Sequence, residues 1–318
     1  MKNSITIIVP LYERVEHTRI FLKDNIYENY EFIFCDGGYT NSNLDLFNVL
    51  NKKNIKYLKF KTDKILPYDM IMKLKKSILE SKTDFVMLAD NDDFLNEYGI
   101  NKCIKFLTKN KNYDYAGCDT LYIRKSKFKN KYHLTPGVKC SKLYEKGKNK
   151  INVINYLSLK EHSSITYYSI FKKKFLIKIL NILYLIDDIS MNHFEIFFNL
   201  LAVYYGNYKH INGNHYIRLH NPQGSLNAQI KKDYNILFEE DHFKKSIIQL
   251  YNLLTYRFKF SKIDARNIID NYYKLIESKK RNKIKIILIK LKNILLESIY
   301  YYPFSIKKMI VIINTIKR

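Results

Sequence analysis

Four short apolar or β-rich runs punctuate the first hundred residues: "SITIIVP" (4–10), "YEFIFCD" (30–36), "IKYLKF" (55–60) and "DFVMLAD" (84–90). Helix-length segments near 16–25, 43–52 and 69–81 lie between them. Repeated βα units of this size restrict the chain to a parallel sheet covered on both faces, joined by right-handed crossovers. Ligands of such sheets bind at the carboxyl ends of the strands. The stretch "FVMLADNDDFL" (85–95) is informative for that reason, because an apolar run ends directly in Asp90, Asn91, Asp92 and Asp93. Mutual repulsion and desolvation oppose three acids there unless something offsets them. Two carboxylates one residue apart can share a hard divalent cation, which prefers oxygen ligands and bridges to phosphate oxygens. A plain acidic turn after a strand is the alternative.

Beyond this region the pattern changes. Residues 111–150 are rich in lysine and turn formers, and read as a loop-rich insertion at a cleft mouth or as a solvated basic loop. Apolar content returns over 151–220, where "HFEIFFNLLAVYYG" (193–206) reads as a buried helix ending at Gly206 and "HYIRLH" (215–220) as a strand. After about residue 233 the pattern is helical throughout, and no internal repeat is visible. In "KIKIILIKLKNILL" an Ile/Leu stripe at helical spacing is bordered by Lys283, Lys285, Lys290 and Lys292. Such a helix suits an anionic bilayer surface, or packs on its own domain.

Composition narrows the classes. The net charge of +25 invites a nucleic-acid reading, but 47 of the 55 basic residues are lysine, as AT-rich coding would produce. No arginine-rich or aromatic-basic module accompanies the charge, so nucleic acid is not expected as a partner. The four cysteines are widely spaced and suggest neither zinc nor a disulfide framework, which fits a reducing cytoplasm. No signal-peptide pattern and no run of 18 apolar residues is present, so neither secretion by that route nor membrane spanning is expected.

Four motifs in order carry a family resemblance. "TIIVPLYER" (6–14), "FIFCDGGYTNS" (32–42), "FVMLADNDDF" and "FEIFFNLLAVYYGNYKHINGNHYIRLHNPQGS" (194–225) together resemble the GT-A fold nucleotide-sugar glycosyltransferases, in particular the large, mostly inverting, family-two-like group. The resemblance spans roughly residues 1–225 and excludes the helical tail. It implies an α/β fold with a Rossmann-like, mostly parallel sheet flanked by helices, here with an α-helical C-terminal extension. The expected division is a glycosyltransferase domain over 1–230, with a nucleotide-sugar half (1–110) and an acceptor-side half (111–230), followed by a basic helical region over 231–318.

The resemblance also implies roles. Tyr12 matches the residue that stacks on the nucleotide base, and Asp36 the acceptor of the base imide N–H. Pro10, Glu13, Arg14, Gly37 and Asn91 belong to the same donor-binding motifs. Gly37 stands where a second Asp is usual, which leaves the base open, with UDP the first expectation. Lys73 matches a basic position that reaches the diphosphate. Asp90 and Asp92 would hold Mn²⁺ or Mg²⁺, with His220 at a position that presents an imidazole to the metal or diphosphate. Glu195, eleven residues before Gly206, matches the general base, and Asp188 is the alternative. The implied reaction moves a sugar from a nucleoside diphosphate to a glycan or lipid-linked glycan. A cytoplasmic location, peripheral at the inner face of the membrane through residues 279–318, is the matching expectation. A catalytically silent, donor-binding relative is the alternative.

Overall fold

The structure is a computed structural model, which describes residues 4–50, 52–61, 67–125, 132–136, 149–157, 166–187, 189, 191–220 and 241–281. In the first half, β1 (Thr6–Leu11), β2 (Glu31–Asp36), β3 (Ile55–Lys59) and β4 (Phe85–Leu88) alternate with α1 (Val15–Asp24), α2 (Ser42–Asn48) and α3 (Tyr68–Glu80). Ile7, Ile8 and Val9 of β1 are all fully buried, as are Phe32, Ile33 and Phe34 of β2. Continuous apolar runs buried on both faces are what a central parallel strand requires. On α3, Ile71, Leu74 and Ile78 form one buried face at helical spacing.

The second half comprises β5 (Phe94–Leu95), α4 (Glu97–Lys109), β6 (Tyr115–Lys125), β7 (Tyr132–Pro136), α5 (Lys150–Leu157), β8 (Ile170–Lys172), α6 (Lys173–Tyr184), α7 (Met191–Tyr205) and β9 (Tyr208–His220). The sheet runs β3-β2-β1-β4-β8-β6-β9-β5, with β7 paired to β6. It is parallel from β3 to β4, antiparallel across β8, and parallel again between β6 and β9. Two stretches differ from the sequence reading. Residues 115–125, read as the start of a loop-rich insertion, form a long strand, because the lysines and turn formers after them mask the buried run Tyr115–Cys118. The last strand begins at Tyr208 rather than 215, its polar first half being held by pairing with β6.

Two packing features position the strand ends. β1 continues to Leu11 in register with Asp36 of β2, although its ladder with β4 ends at Ile8 and Leu88. The start of α4 is pinned to β9: Asn96 caps the helix at Tyr98 N–H, and its amide donates to the carbonyl and side chain of Asn214 at 3.0 Å. Gly99 permits this approach, since a Cβ there would stand 2.0 Å from the Asn214 carbonyl oxygen.

After residue 240 come α8 (Asp241–Asn252), a π-helical turn (Leu253–Arg257) and α9 (Lys262–Arg281). Their buried Leu250, Leu254, Phe258 and Ala265 join the same core as α5 to α7, with Phe258 stacked on Tyr204 at 4.1 Å. No helix among the described residues is long and apolar enough to cross a membrane. The stripe beginning at residue 283 lies outside the described residues.

Candidate functional site

The acidic turn between β4 and β5 follows the carboxyl end of β4, the strand next to β1. Asp90, Asp92 and Asp93 each offer a carboxylate oxygen, and the three oxygens lie within 4.8 Å of one another. Each acid has a different partner. Asp90 accepts from the Tyr168 hydroxyl, and its own N–H donates to the Tyr216 hydroxyl at 2.9 Å. Asp92 pairs with Arg14 at 3.0 Å. Asp93 accepts from Leu219 N–H at 2.8 Å and faces Arg218 at 3.7 Å. Asn91, between them, is buried and donates to Thr18 at 3.0 Å.

Electrostatics follow from this crowding. Burial, with the charge of Asp92 behind it, pushes Asp90 up to about 6, against the pull of Arg218 and the Tyr168 hydrogen bond. Burial likewise holds Asp93 well above the ordinary carboxylate range, with Arg218 opposing and the two neighbouring acids adding to the rise. The second oxygen of Asp93 is buried without a hydrogen-bond partner. Three hard oxygen donors at this spacing, one of them without a hydrogen bond, fit a divalent cation of the Mg²⁺ or Mn²⁺ type.

The sequence singles out the acids but misses most of their partners. Tyr168 precedes β8, whereas Tyr216 and Arg218 share one face of β9. The rings of Tyr168 and Tyr216 stack at 4.1 Å, and Arg218 lies over the Tyr168 ring at 5.1 Å. One available signal is that Arg218 is among only eight arginines and alternates with Tyr216 in "HYIRLH".

Glu195 lies on α7, half-buried, close enough for its charge to raise Asp90 and to act on Arg218 and Tyr168. One turn further on, Asn199 accepts from Thr166 and donates to Tyr156 at 3.0 Å, locking α7 onto the turn that carries Tyr168. Asp188 lies outside the described residues. His220 ends β9, its backbone in register with Arg124, and its side chain is likewise outside them.

The ends of β1 and β2 adjoin the acidic turn through the Arg14–Asp92 pair. Asp36 is fully buried and its carboxylate accepts from Gly38 N–H at 2.8 Å, Tyr57 at 2.6 Å and Lys59 at 3.2 Å. Gly37 N–H donates to the Leu11 carbonyl at 3.0 Å. Half-buried Pro10 precedes Leu11, beyond the last rung of the β4 ladder. Lys73, buried under this edge, donates to the Leu11 carbonyl at 3.2 Å. Glu13 and Arg14 adopt left-handed φ values of 56° and 57°, a conformation that costs an L-residue about 1–2 kcal/mol. Hydrogen bonds from Tyr39, Thr40 and Asn43 to Glu13 hold this bend. Burial works against the Glu13 carboxylate, but hydrogen bonds from Thr40 and Tyr39 and the charge of Lys59 keep it below its ordinary range.

Solved structures share this arrangement of strands and helices. The structure of S. aureus TarS 1–349 in complex with UDP-GlcNAc overlaps 89% of this chain and 75% of its own at 15% identity, with a TM-score of 0.59. TarS 1–349 on its own gives 0.52 at 14% identity, over 89% of this chain and 74% of that one. Both are structures of a GT-A glycosyltransferase. This chain has the GT-A fold. The mannosyltransferase PcManGT from Pyrobaculum calidifontis, in complex with GDP-Man and Mn²⁺, spans the whole GT-A chain and 87% of its own at 12% identity. Its TM-score is 0.45. No family model matches the sequence of this GT-A protein, and no curated protein matches it. The acids of the GT-A chain occupy the carboxyl end of the strand next to β1, the rim where a doubly wound sheet presents its ligand site.

Proposed function

We propose that this protein is a glycosyltransferase that moves a sugar from a nucleoside diphosphate donor, UDP first among the candidates, to a glycan or lipid-linked glycan, with inversion. The observation that carries the reading is the clustering of Asp90, Asp92 and Asp93 after the carboxyl end of β4 in a GT-A fold. Asp90 and Asp92 would hold Mn²⁺ or Mg²⁺, with Asp93 fixed behind them by Leu219 and Arg218. Such an ion, when bound, neutralises charge on the leaving diphosphate. Arg14 lies at the rim, a third exposed, and adds positive charge beside Asp92.

Glu195 serves as the base that takes the acceptor hydroxyl's proton as it attacks. Buried packing and the Asn199 network hold its helix in place, and Glu195 itself is only partly buried. Glu195→Gln is expected to keep donor affinity and lower transfer by roughly 10²-fold or more. Equal transfer in that variant, with loss in Asp188→Asn instead, would move the base to Asp188.

The membrane reading rests on the basic stripe of residues 279–318. Removing those residues should release the protein from anionic vesicles in a sedimentation assay, and undiminished binding would remove the tail from the argument.

The deciding experiment is a thermal-shift screen of nucleotides and nucleotide sugars with and without Mn²⁺, because a ligand that binds only the folded state raises its melting temperature. A metal-dependent rise with one nucleotide sugar supports the reading; no rise with any of them, or one indifferent to metal, defeats it. The ion competes with a proton for Asp90, whose pKa stands at about 6. The Mn²⁺-induced rise should therefore be larger at pH 7.5 than at pH 5.5.

A further inference from the structure

Backbone and ring of Tyr168 are both fixed before its hydroxyl reaches the acidic turn. Its carbonyl accepts from Nε2 of His215 at 2.8 Å, and Nδ1 of the same imidazole accepts from Cys118 N–H at 3.0 Å. The proton of this fully buried ring is therefore held on Nε2. Ser169 N–H closes the turn on the Thr166 carbonyl at 3.0 Å, and the Thr166 hydroxyl is tied to Asn199 of α7. The Tyr168 ring stacks on Tyr216 with centres 4.1 Å apart and planes at 13°. It meets Tyr167 edge to face at 5.0 Å and carries the Arg218 guanidinium at 5.1 Å.

All of these contacts aim one hydroxyl at one acid. The Tyr168 hydroxyl donates to Oδ2 of Asp90, while the stacked partner Tyr216 accepts from the Asp90 N–H at 2.9 Å. Two nearly parallel rings thus hold the carboxylate and the backbone of a single residue. The neighbouring acids are held differently, Asp92 by Arg14 and Asp93 by Leu219 N–H and Arg218. A cation set directly on a carboxylate repels an incoming metal ion, whereas a neutral phenol orients the carboxylate without adding positive charge. Packing alone does not explain the arrangement. A phenylalanine would fill the stack on Tyr216 equally well and bring no polar atom into a site where residue 168 is 1% exposed.

We infer that Tyr168 is a positioning residue for the metal site, its hydroxyl occupying Oδ2 of Asp90 so that Oδ1 is presented to Mn²⁺ or Mg²⁺. The inference rests on the metal reading above and deepens it. A ligand oxygen that is ordered beforehand loses less freedom when the ion arrives, so the partners of metal-ligating carboxylates set affinity. Loss of such a partner typically costs about 10–100-fold in metal binding. His215 and Tyr216 belong to the same support, the first through the Tyr168 carbonyl and the second through the ring stack.

The test is a titration of Mn²⁺ into the full chain and into Tyr168→Phe and Tyr208→Phe, with and without UDP, read as loss of the free-ion electron paramagnetic resonance signal. Tyr168→Phe keeps the ring stack and the His215 bond, so the variant should fold. Tyr208→Phe is the control, because it also removes a buried hydroxyl, one that donates to the Gly117 carbonyl at 3.4 Å. Tyr168→Phe should weaken Mn²⁺ by about tenfold or more, and Tyr208→Phe should leave it unchanged. Unchanged or tighter Mn²⁺ binding in Tyr168→Phe overturns the positioning role while leaving the metal reading in place. Equal weakening in both variants also overturns it, since the loss then follows stability rather than the contact with Asp90. Absence of Mn²⁺ binding in the unaltered chain, with or without UDP, overturns the metal reading and the positioning role together.

Discussion

Asp92→Ala is expected to leave a folded protein whose metal-dependent donor turnover falls by about a thousandfold or more, the equivalent of roughly 4 kcal/mol of charge stabilisation at the leaving diphosphate. The fold should tolerate the change. The Asp92 side chain is 18% exposed, and its ion pair is with Arg14, itself a third exposed. Such pairs contribute about 0–1 kcal/mol. Removing one of three crowded acids also relieves repulsion that raises Asp90 and Asp93. The melting temperature without metal should therefore hold or rise slightly, while the Mn²⁺-dependent increment disappears. A variant that keeps both turnover and the Mn²⁺ increment would remove the acidic cluster from the mechanism.

The second large effect is on stability. Arg218→Met takes away the cation that faces Asp93, which is only 3% exposed, and leaves that acid among two others. Breaking a buried pair by removing one partner typically costs about 3–5 kcal/mol, and the quarter exposure of Arg218 places this one near the lower figure. The loss should depend on pH. Asp93 already titrates above its ordinary range, and without Arg218 it moves higher. A carboxyl whose folded pKa is raised favours the folded state below its unfolded pKa, near 4, and loses that contribution as pH rises through the folded value. The deficit against the unaltered chain should therefore be smallest near pH 4–5 and largest at pH 7 and above. Urea midpoints across that range measure it, and a deficit independent of pH would show that Arg218 acts through packing on Tyr168 instead.

How much of this was legible without coordinates varies by element. The strands 4–10, 30–36, 55–60 and 84–90 emerge at Thr6–Leu11, Glu31–Asp36, Ile55–Lys59 and Phe85–Leu88, because central parallel strands leave uninterrupted apolar runs. The helix read to end at Gly206 spans Met191–Tyr205. Where lysines crowd the window, the reading failed: β6 begins at Tyr115, within a segment read as loop. Lys59 looked like one of many lysines, yet it ties Asp36 to the carbonyls of Gly38 and Thr40. Nothing local to residue 59 distinguishes it.

The sequence by itself determined a parallel βα core and placed three acids at a strand's carboxyl end, because both features are written in contiguous residues with a short period. Only the tertiary structure decided what those acids face. Tyr168, Tyr216 and Arg218 arrive from segments 78 to 126 residues away in the chain, and the gripped loop bearing Tyr39 depends on Glu13 and Lys59 from two other segments. Side chains meet across a sheet through register and crossover, and these are properties of the folded whole that no single stretch of chain carries.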